Sequence, residues 1–543
     1  VTMVSAREDL QTHEVWNQPQ VPGPRDPWAA DAVLREAVAR EGGQVVPLET
    51  YGAALGSEAL AVAAREAERL APELVLFDRG GRRLDEVRYA TGYHDLMSAG
   101  IGAGYAALAW EGGAGGHVSH AAMVYMASQL EPGHCCPMTM TYAGVPALAG
   151  QGGALEVWRE KLLSRVYDPS VAPLGDKAGA TLGMAMTEKQ GGSDVRANTT
   201  RAERDGGDWR LTGHKWFCSA PMSDGFLTLA QAPEGLSCFL VPRWLDGERN
   251  PIRIQRLKDK LGNRANASSE IEYQGALGHL VGEAGNGIRT ILEMVHHTRL
   301  DTAMAPAGLM RAALAEAWHW AEGRRVFQKR LVDQPLMRAV LADLALDWEA
   351  ATALGLRVAR AFDAGGDAGE RALARIGVAL AKFHNNKRAP VVIYEAMEAL
   401  GGMGYVTDTP LPMLYREAPL NGIWEGSGNV ICLDILRTLA RAPEAGEALR
   451  LELEAARGNS AVYDAALDAH GARWHGPPEE AEARLFAERL SVLLAASLLL
   501  RFAPGEVGAT YAATRLGGEA GRISGAIPAG EVGVILSRLS GRA

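Results

Sequence analysis

Between about residues 200 and 275 the chain changes texture, and that change limits its fold more than any other feature. The runs DWRLTGHKWFC, GFLTLAQA, LSCFLVPRW, PIRIQRLKD and SSEIEYQ are short and rich in β-branched and aromatic residues. Asp205-Gly206-Gly207, Pro233-Glu234-Gly235 and Asp246-Gly247 punctuate them, which predicts a small antiparallel β domain. Both flanks read as helix. Residues 28–180 are rich in Ala, Leu, Glu and Arg, as in SEALAVAAREAERLAPEL (57–74), and are broken by glycine clusters such as EGGAGGH (111–117). After about 285 the helical texture returns. Pro335 suits the first position of a helix, and Met337, Val340, Leu341, Leu344 and Trp348 then fall on one apolar face. That helix should stop before Gly365-Gly366, and another should stop at ALGGMGY (399–405). About a hundred further Ala/Leu/Glu/Arg-rich residues follow Pro443. The α+β order is a mainly helical part at 1–180, a β part at 181–290, a helical part at 291–440 and a helical extension at 441–543.

Bulk composition excludes several classes. Lys+Arg of 55 against Asp+Glu of 65 leaves −10, so no global charge recruits the chain to nucleic acid or anionic lipid. Cys135, Cys136, Cys218, Cys238 and Cys432 are too scattered for a disulfide framework and form no CxxC pair, so neither a disulfide scaffold nor a metal site is expected. Reduced thiols make the cytoplasm the default compartment. The N-terminal stretch lacks a basic region followed by an apolar one. The most apolar run, LSVLLAASLLL (490–500), is too short to span a bilayer and reads as a buried core helix.

Three stretches carry chemistry. In NGIWEGSGNVICLDILR (421–437), Glu425 stands between an indole and Gly426-Ser427-Gly428, just before an apolar run. Held against apolar neighbours, a carboxylate gains the raised pKa of a general base. From spacing alone, a solvated helix end is the commoner reading. GMAMTEKQGGSDVRANTT (183–200) gathers Thr187, Ser193 and glycine-freed amides, which suit a heteroaromatic edge or a phosphate, or else a plain connector. GHKWFCSAP (213–221) is a strand with Trp216, Phe217 and Ser219, either core or the lining of a flat ring. Gly401-Gly402-Met403-Gly404 and GIGAGY (100–105) are not dinucleotide fingerprints, because each belongs to a helical stretch. His117 and His120 in a glycine-rich loop, and His296-His297, read as structural or surface residues.

Taken together, these segments resemble the acyl-CoA dehydrogenases. MTEKQGGSDV resembles their TEPxAGSD signature, GHKWFCS their G-x-K-x-W-I-T strand, and KLGNRANASSEIEY (260–273) their KxGxRxSxxxEhxF strand. RRVFQKRLVDQPLM (324–337), EALGGMGY (398–405) and IWEGSGN (423–429) resemble RxxFGxxhxxxQ, QxhGGxGY and IYEGTxQ. THEVWNQP (12–19), CPMTMTYA (136–143), RLKDKLGNR (256–264) and the C-terminal extension bring the chain closest to the AidB-type alkylation-response flavoproteins, over essentially its whole length.

The resemblance implies an acyl-CoA dehydrogenase-like fold: an N-terminal helical domain, a middle β-barrel and a C-terminal helical bundle, with FAD between barrel and bundle. It implies FAD contacts from Met186, Thr187, Gly192, Ser193, Phe217, Ser219, Trp424, Ser427 and Asn429. It also implies an FAD contact from Gln334, and contacts from Arg324, Phe327, Gly401 and Gly402 to the FAD of a neighbouring subunit, hence a homo-oligomer, a dimer or dimer of dimers. Glu425 falls on the family's catalytic carboxylate. The chain departs from the pattern at Phe217 (usually Trp), Gln328 (usually Gly) and Glu398 (usually Gln), and Phe327 to Gln334 is one residue short. A carboxylate at 398 repels a pyrophosphate unless paired, so Arg324 is the better contact.

Two functions follow from the resemblance. One is α,β-dehydrogenation of an acyl-CoA thioester. The other is protection of duplex DNA, bound through the extension. From Pro443 onward there are ten Arg (450, 457, 473, 484, 489, 501, 515, 522, 538, 542), no Lys and thirteen Asp+Glu, poor material for phosphate contacts. The dehydrogenase reading ranks first.

Overall fold

The computed structural model describes residues 6–528, 530 and 532–541. Its N-terminal part holds α1 (Ala32–Glu41), α2 (Val45–Leu55), α3 (Glu58–Arg69), α4 (Thr91–Ala103), α5 (Gly116–Leu130), α6 (Cys135–Leu148) and α7 (Gly153–Leu162). One hairpin, β1 (Glu73–Phe77) with β2 (Arg83–Arg88), interrupts the helices. The stretch 57–74 is therefore not helical throughout. Ala71 precedes Pro72, which disfavours helical backbone, and the chain leaves α3 through an extended Leu70 and enters β1.

The β part contains β3 (Leu182–Ala185), β4 (Arg201–Asp205), β5 (Asp208–Ser219), β6 (Gly225–Ala232), β7 (Gly235–Pro242), β8 (Trp244–Leu245), β9 (Glu248–Arg249), β10 (Ile252–Leu257) and β11 (Ser268–Val281). β11 pairs with β5 and with β7, β7 with β6, β6 with β4, and β4 with β5, so five strands close a ring. This is the expected barrel, and closing the ring leaves those strands no free edge. Inside it pack Trp209, Leu211, Phe226, Phe239, Val241, Ile271 and Tyr273. The barrel is not wholly antiparallel. β3 and β4 both run parallel to β6, because a loop at 186–200 joins them to each other and neither is joined to β6 by a hairpin.

The pairing of β5 with β11 is irregular toward the C-terminal end of β5. Cys218 faces Ser269 and Lys215 faces Ile271, so Trp216 and Phe217 together oppose Glu270 alone. Such a bulge breaks the two-residue alternation. Lys215 and Cys218 point into the barrel, while Phe217 is left 50% exposed.

Three long helices follow: α8 (Gly287–Gly323), α9 (Pro335–Asp363) and α10 (Ala368–Ala399). Pro335 opens α9 as expected. Phe362 near the end of α9 stacks on His296 near the start of α8, and Arg357 of α9 pairs with Glu370 at the start of α10. α8 and α10 therefore run in the same direction, with α9 against them. The two-stranded hairpin β12 (Arg325–Val326) and β13 (Lys329–Arg330) caps the far end of α8. α11 (Leu411–Glu417) and α12 (Gly428–Arg441) complete the bundle.

The extension is helical: α13 (Pro443–Glu454), α14 (Ala461–Arg473), α15 (Ala483–Phe502), α16 (Gly505–Arg515) and α17 (Gly533–Ser540). The apolar run 490–500 is the core of α15, with Leu490, Leu493, Leu494, Leu498 and Leu499 buried. Among the described residues, no helix is long and apolar enough to cross a membrane.

Candidate active site

Glu425 lies on the turn between α11 and α12 with its backbone in the left-handed region, φ +57°. A side chain with a Cβ adopts that conformation at a cost of about 1–2 kcal/mol, so surrounding structure must impose it. Gly426 follows at φ +100°, where only glycine is at ease, and a Cβ there would press on Ile431 Cδ1 at 3.1 Å. The half-buried carboxylate accepts a hydrogen bond from Thr298 Oγ1 at 3.0 Å. Burial raises its pKa above the usual carboxylate range, and the Thr298 hydroxyl, Lys382 and Arg299 oppose the rise.

Buried cations hold the turn. Lys382 Nζ donates to the carbonyls of Asn421 (2.9 Å), Trp424 (2.9 Å) and Gly426 (2.8 Å). Arg299 Nε donates to the carbonyl of Glu425 itself at 3.2 Å. Arg299 and Arg375 share the carboxylate of Asp434. Burial, opposed by Glu425, pulls the Lys382 ammonium down to about 7. Thr298, Arg299, Lys382 and Asp434 escaped the sequence reading because they sit on α8, α10 and α12, far apart along the chain. The one visible signal was a lone lysine in the apolar run GVALAKFH.

The barrel supplies the opposite wall. Cys136, pushed up to about 12 by burial, feels the charge of Glu425 and hydrogen-bonds Ser219, so it lies between the end of β5 and the carboxylate. Ser219 Oγ is 3.2 Å from Ser268 Oγ, to which Lys260 Nζ donates at 3.1 Å. Lys258 Nζ stands 3.3 Å from the ring centre of Trp216 and 4.7 Å from that of Phe217, and Phe217 remains 50% exposed. The 186–193 loop is braced from below. Buried Glu188 accepts from Lys215 Nζ and from the amides of Thr199 and Thr200, and although burial opposes it, these donors hold the carboxyl well below its usual range. Trp216 N donates to the carbonyl of Thr187 at 2.7 Å, and a Cβ on Gly192 would meet Thr187 Oγ1 at 2.4 Å. The loop is thus closed tightly on Thr187, with Met186 half-buried and Ser193 exposed. A half-exposed aromatic ring, two hydroxyls and a braced glycine loop opposite a carboxylate fit a flavin.

Not every expected residue gathers here. Arg324, Phe327 and Gln334 lie beyond the C-terminal end of α8, and 26 residues of mostly helix separate Arg324 from Thr298, roughly 35–40 Å at 1.5 Å per residue. Gly401 and Gly402 follow α10, which runs the same way, and so lie toward the same distant end. A Cβ on either glycine would meet nothing within 4 Å, so no packing within the chain calls for glycine there. Phe327 is 90% exposed at the hairpin tip, Arg324 Nη1 donates to the carbonyl of Asn17, and Gln334 Nε2 to that of Val326. Asn429 faces the extension, its Oδ1 accepting from Arg484 Nη1 at 2.9 Å, and Ser427 beside it is exposed.

A cavity of about 670 Å³ opens beside the N-terminus of α8, lined in part by Arg196, Gln231, Asn286, Arg289 and Glu293. The histidines stand on helices, so the expected loop at 117–120 is instead the start of α5. His120 bridges the Tyr105 carbonyl and Asp301, and His117 pairs with the Tyr142 hydroxyl. Burial holds His117, His296 and His297 below their usual range, His297 at about 4. No cluster of metal-ligating side chains occurs among the described residues.

Residues 17–169 match the adaptive response protein AidB N-terminal domain, 183–276 the acyl-CoA dehydrogenase middle domain and 285–440 the acyl-CoA dehydrogenase C-terminal domain. The chain is 45% identical over 500 residues to the AidB protein of Escherichia coli (strain K12), covering 91% of this chain and 92% of that one. It is 32% identical over 429 residues to acyl-CoA dehydrogenase family member 11 of Caenorhabditis elegans, covering 74% of this chain and 68% of that one. The crystal structure of C. elegans ACDH-11 in complex with C11-CoA superposes with a TM-score of 0.84 at 26% identity, over 95% of each chain.

Proposed function

The chain belongs to the acyl-CoA dehydrogenase family, in its AidB-type branch, and from that premise we propose that it dehydrogenates an acyl-CoA thioester between Cα and Cβ with FAD as cofactor. The observation that carries this reading is the half-buried Glu425, its pKa raised, hydrogen-bonded to Thr298 and close to Cys136, which hydrogen-bonds Ser219 at the end of β5.

FAD, when bound, accepts the hydride. Glu425 takes the α-proton, and its raised pKa makes it a stronger proton acceptor than a solvated carboxylate. The β-carbon gives up a hydride, and an α,β-unsaturated thioester remains. Thr187 and Ser219 would hydrogen-bond the ring edge, Phe217 would lie against the ring, and Ser193 would meet the pyrophosphate. Arg196, Arg289 and the start of α8 suit the phosphates of coenzyme A, at the mouth of the 670 Å³ cavity. Arg324, Phe327, Gln334 and Gly401-Gly402 are too distant to serve the same flavin as Glu425. The exposure of Phe327, Gly401 and Gly402 supports a role toward a second copy of the chain, in a dimer or dimer of dimers.

Duplex DNA has less support as a partner. Six of the nine described tail arginines pair with carboxylates of the same chain: Arg450, Arg457, Arg473, Arg501, Arg515 and Arg538. Arg542 lies outside the described residues. The deciding experiment is anaerobic titration of the purified flavoprotein with acyl-CoAs of graded length. Bleaching of the visible flavin band by one of them supports the proposal, and a band that none of them changes sinks it.

A further inference from the structure

The dehydrogenase reading leaves one question open: what forces Glu425 into a backbone conformation that its side chain disfavours. Four carbonyls of the turn, those of Asn421, Trp424, Glu425 and Gly426, all point inward, which is an arrangement of like dipoles that repel one another. A cation answers each of them. Lys382 uses its three N–H bonds on three of these oxygens, and Arg299 takes the fourth. Lys382 is 2% exposed, so its ammonium makes these bonds away from bulk water. We propose that Lys382 is the positioning residue for the catalytic carboxylate: its tetrahedral ammonium turns the carbonyls of Trp424 and Gly426 inward, and the Glu425 side chain is thereby turned out toward Thr298 and the barrel.

The geometry distinguishes this role from simple core filling. Three acceptors around one nitrogen use all the hydrogen-bonding capacity of an ammonium, and no uncharged side chain of similar length supplies three donors. Arginine presents its donors in a plane and cannot reproduce the arrangement. The charges around the site are mixed. Glu425 faces Lys382 from the turn, Arg299 from α8, and Lys387 from one turn further along α10. Asp434 of α12, clamped by Arg299 and Arg375, sits behind Arg299. Arg484 of α15 and Lys387 both approach Gly428.

The inference rests on Glu425 being the base, but its test does not. Hydrogen exchange of the full-length flavoprotein is followed by mass spectrometry over residues 419–431, whose amides at Gly422, Ile423, Trp424 and Ile431 are bonded within the turn. Lys382→Met should speed exchange of that segment by about 10- to 100-fold while the rest of the bundle stays protected. Lys382→Ala should do the same, and millimolar methylammonium, refilling the carbonyl cage, should restore protection. Lys387→Met, which removes a neighbouring charge that holds no carbonyl of the turn, should leave exchange unchanged. Wild-type-like protection in Lys382→Met overturns the proposal. So does loss of protection throughout the bundle in both Lys382 variants, or a Lys382→Ala turn that methylammonium does not tighten. Flavin reduction by acyl-CoA is read separately. A wild-type protein that no thioester reduces defeats the dehydrogenase reading and leaves the exchange result standing.

Discussion

At the scale of single residues, the proposed dehydrogenation depends on how little holds Glu425 in its charged form. Its carboxylate has one side-chain donor, Thr298, against the burial that raises its pKa. Glu425→Gln keeps the shape and removes the base. FAD content and melting temperature should stay near wild type, and reduction by an active acyl-CoA should fall by about 10² to 10⁴, the usual worth of a positioned general base. Unchanged reduction rates would mean that the proton leaves through another group. Thr298→Val removes a bond that favours the carboxylate, so the pKa of the base must rise further. The acidic limb of the pH–rate profile should move up by about one unit, which stopped-flow flavin reduction across pH would detect.

Elements are joined by polar ties whose titration is visible in stability. Glu417 at the end of α11 accepts from the backbone amide and side-chain amide of Asn263 in the loop before β11, and burial pushes its carboxyl up to about 7. The folded state therefore holds a proton at pH values where the unfolded chain, near 4.3, has lost it. The resulting stability is fully present below the unfolded value and is lost as pH rises through 7, about 1 kcal/mol between pH 6 and 8. Denaturant titrations at the two pH values should show that difference shrinking in Glu417→Gln. The hairpin β12–β13 carries a different kind of strain. Its two-residue turn puts Phe327 at φ 50° and Gln328 at φ 67°. Such turns favour Asn-Gly, and the family pattern has glycine at the second place. Gln328→Gly should stabilise the hairpin by about 1 kcal/mol, read as slower exchange of residues 324–331.

For the whole molecule, the extension acts as a brace rather than a tail. Arg515 of α16 reaches Asp343 and Asp347 of α9, Arg357 of α9 reaches Glu452 of α13, and Arg538 of α17 joins Glu349 of α9 to Glu36 of α1. Truncation after residue 441 would leave Asp343 and Glu349, each 4% exposed, short of their arginines, while Asp347 keeps Arg388, and would bare the apolar groove filled by α15. Uncompensated buried charge costs about 3–5 kcal/mol for each broken pair, so the truncated chain should aggregate or lose its oligomer. DNA affinity should be weak in the intact protein and fall steeply with salt. Nanomolar binding at physiological salt, lost on replacing tail arginines, would reverse that ranking.

The order of helical, β and helical parts could be read directly, because hydrophobic period and turn residues are local properties of the chain. The same holds for Pro335 opening α9 and for the core of α15. The resemblance of the motifs to the acyl-CoA dehydrogenases, rather than spacing alone, also pointed to Glu425 and the Thr187 loop. Local pattern misread residues 57–74, where the rule for the residue before Pro72 outweighed helix propensity, and His117, which its glycine-rich neighbours made look like loop. It could not show the bulge at Trp216-Phe217, since a bulge exists only relative to Ser269 and Ile271 on the opposite strand. The division of the expected flavin residues between two subunits came from the resemblance; local pattern could not place them at two ends of α8, since that requires the length and direction of three packed helices. Nor could it find Lys382, whose partners are carbonyls about forty residues away in sequence. Backbone oxygens carry no side-chain signature, and only the folded turn brings them to one nitrogen.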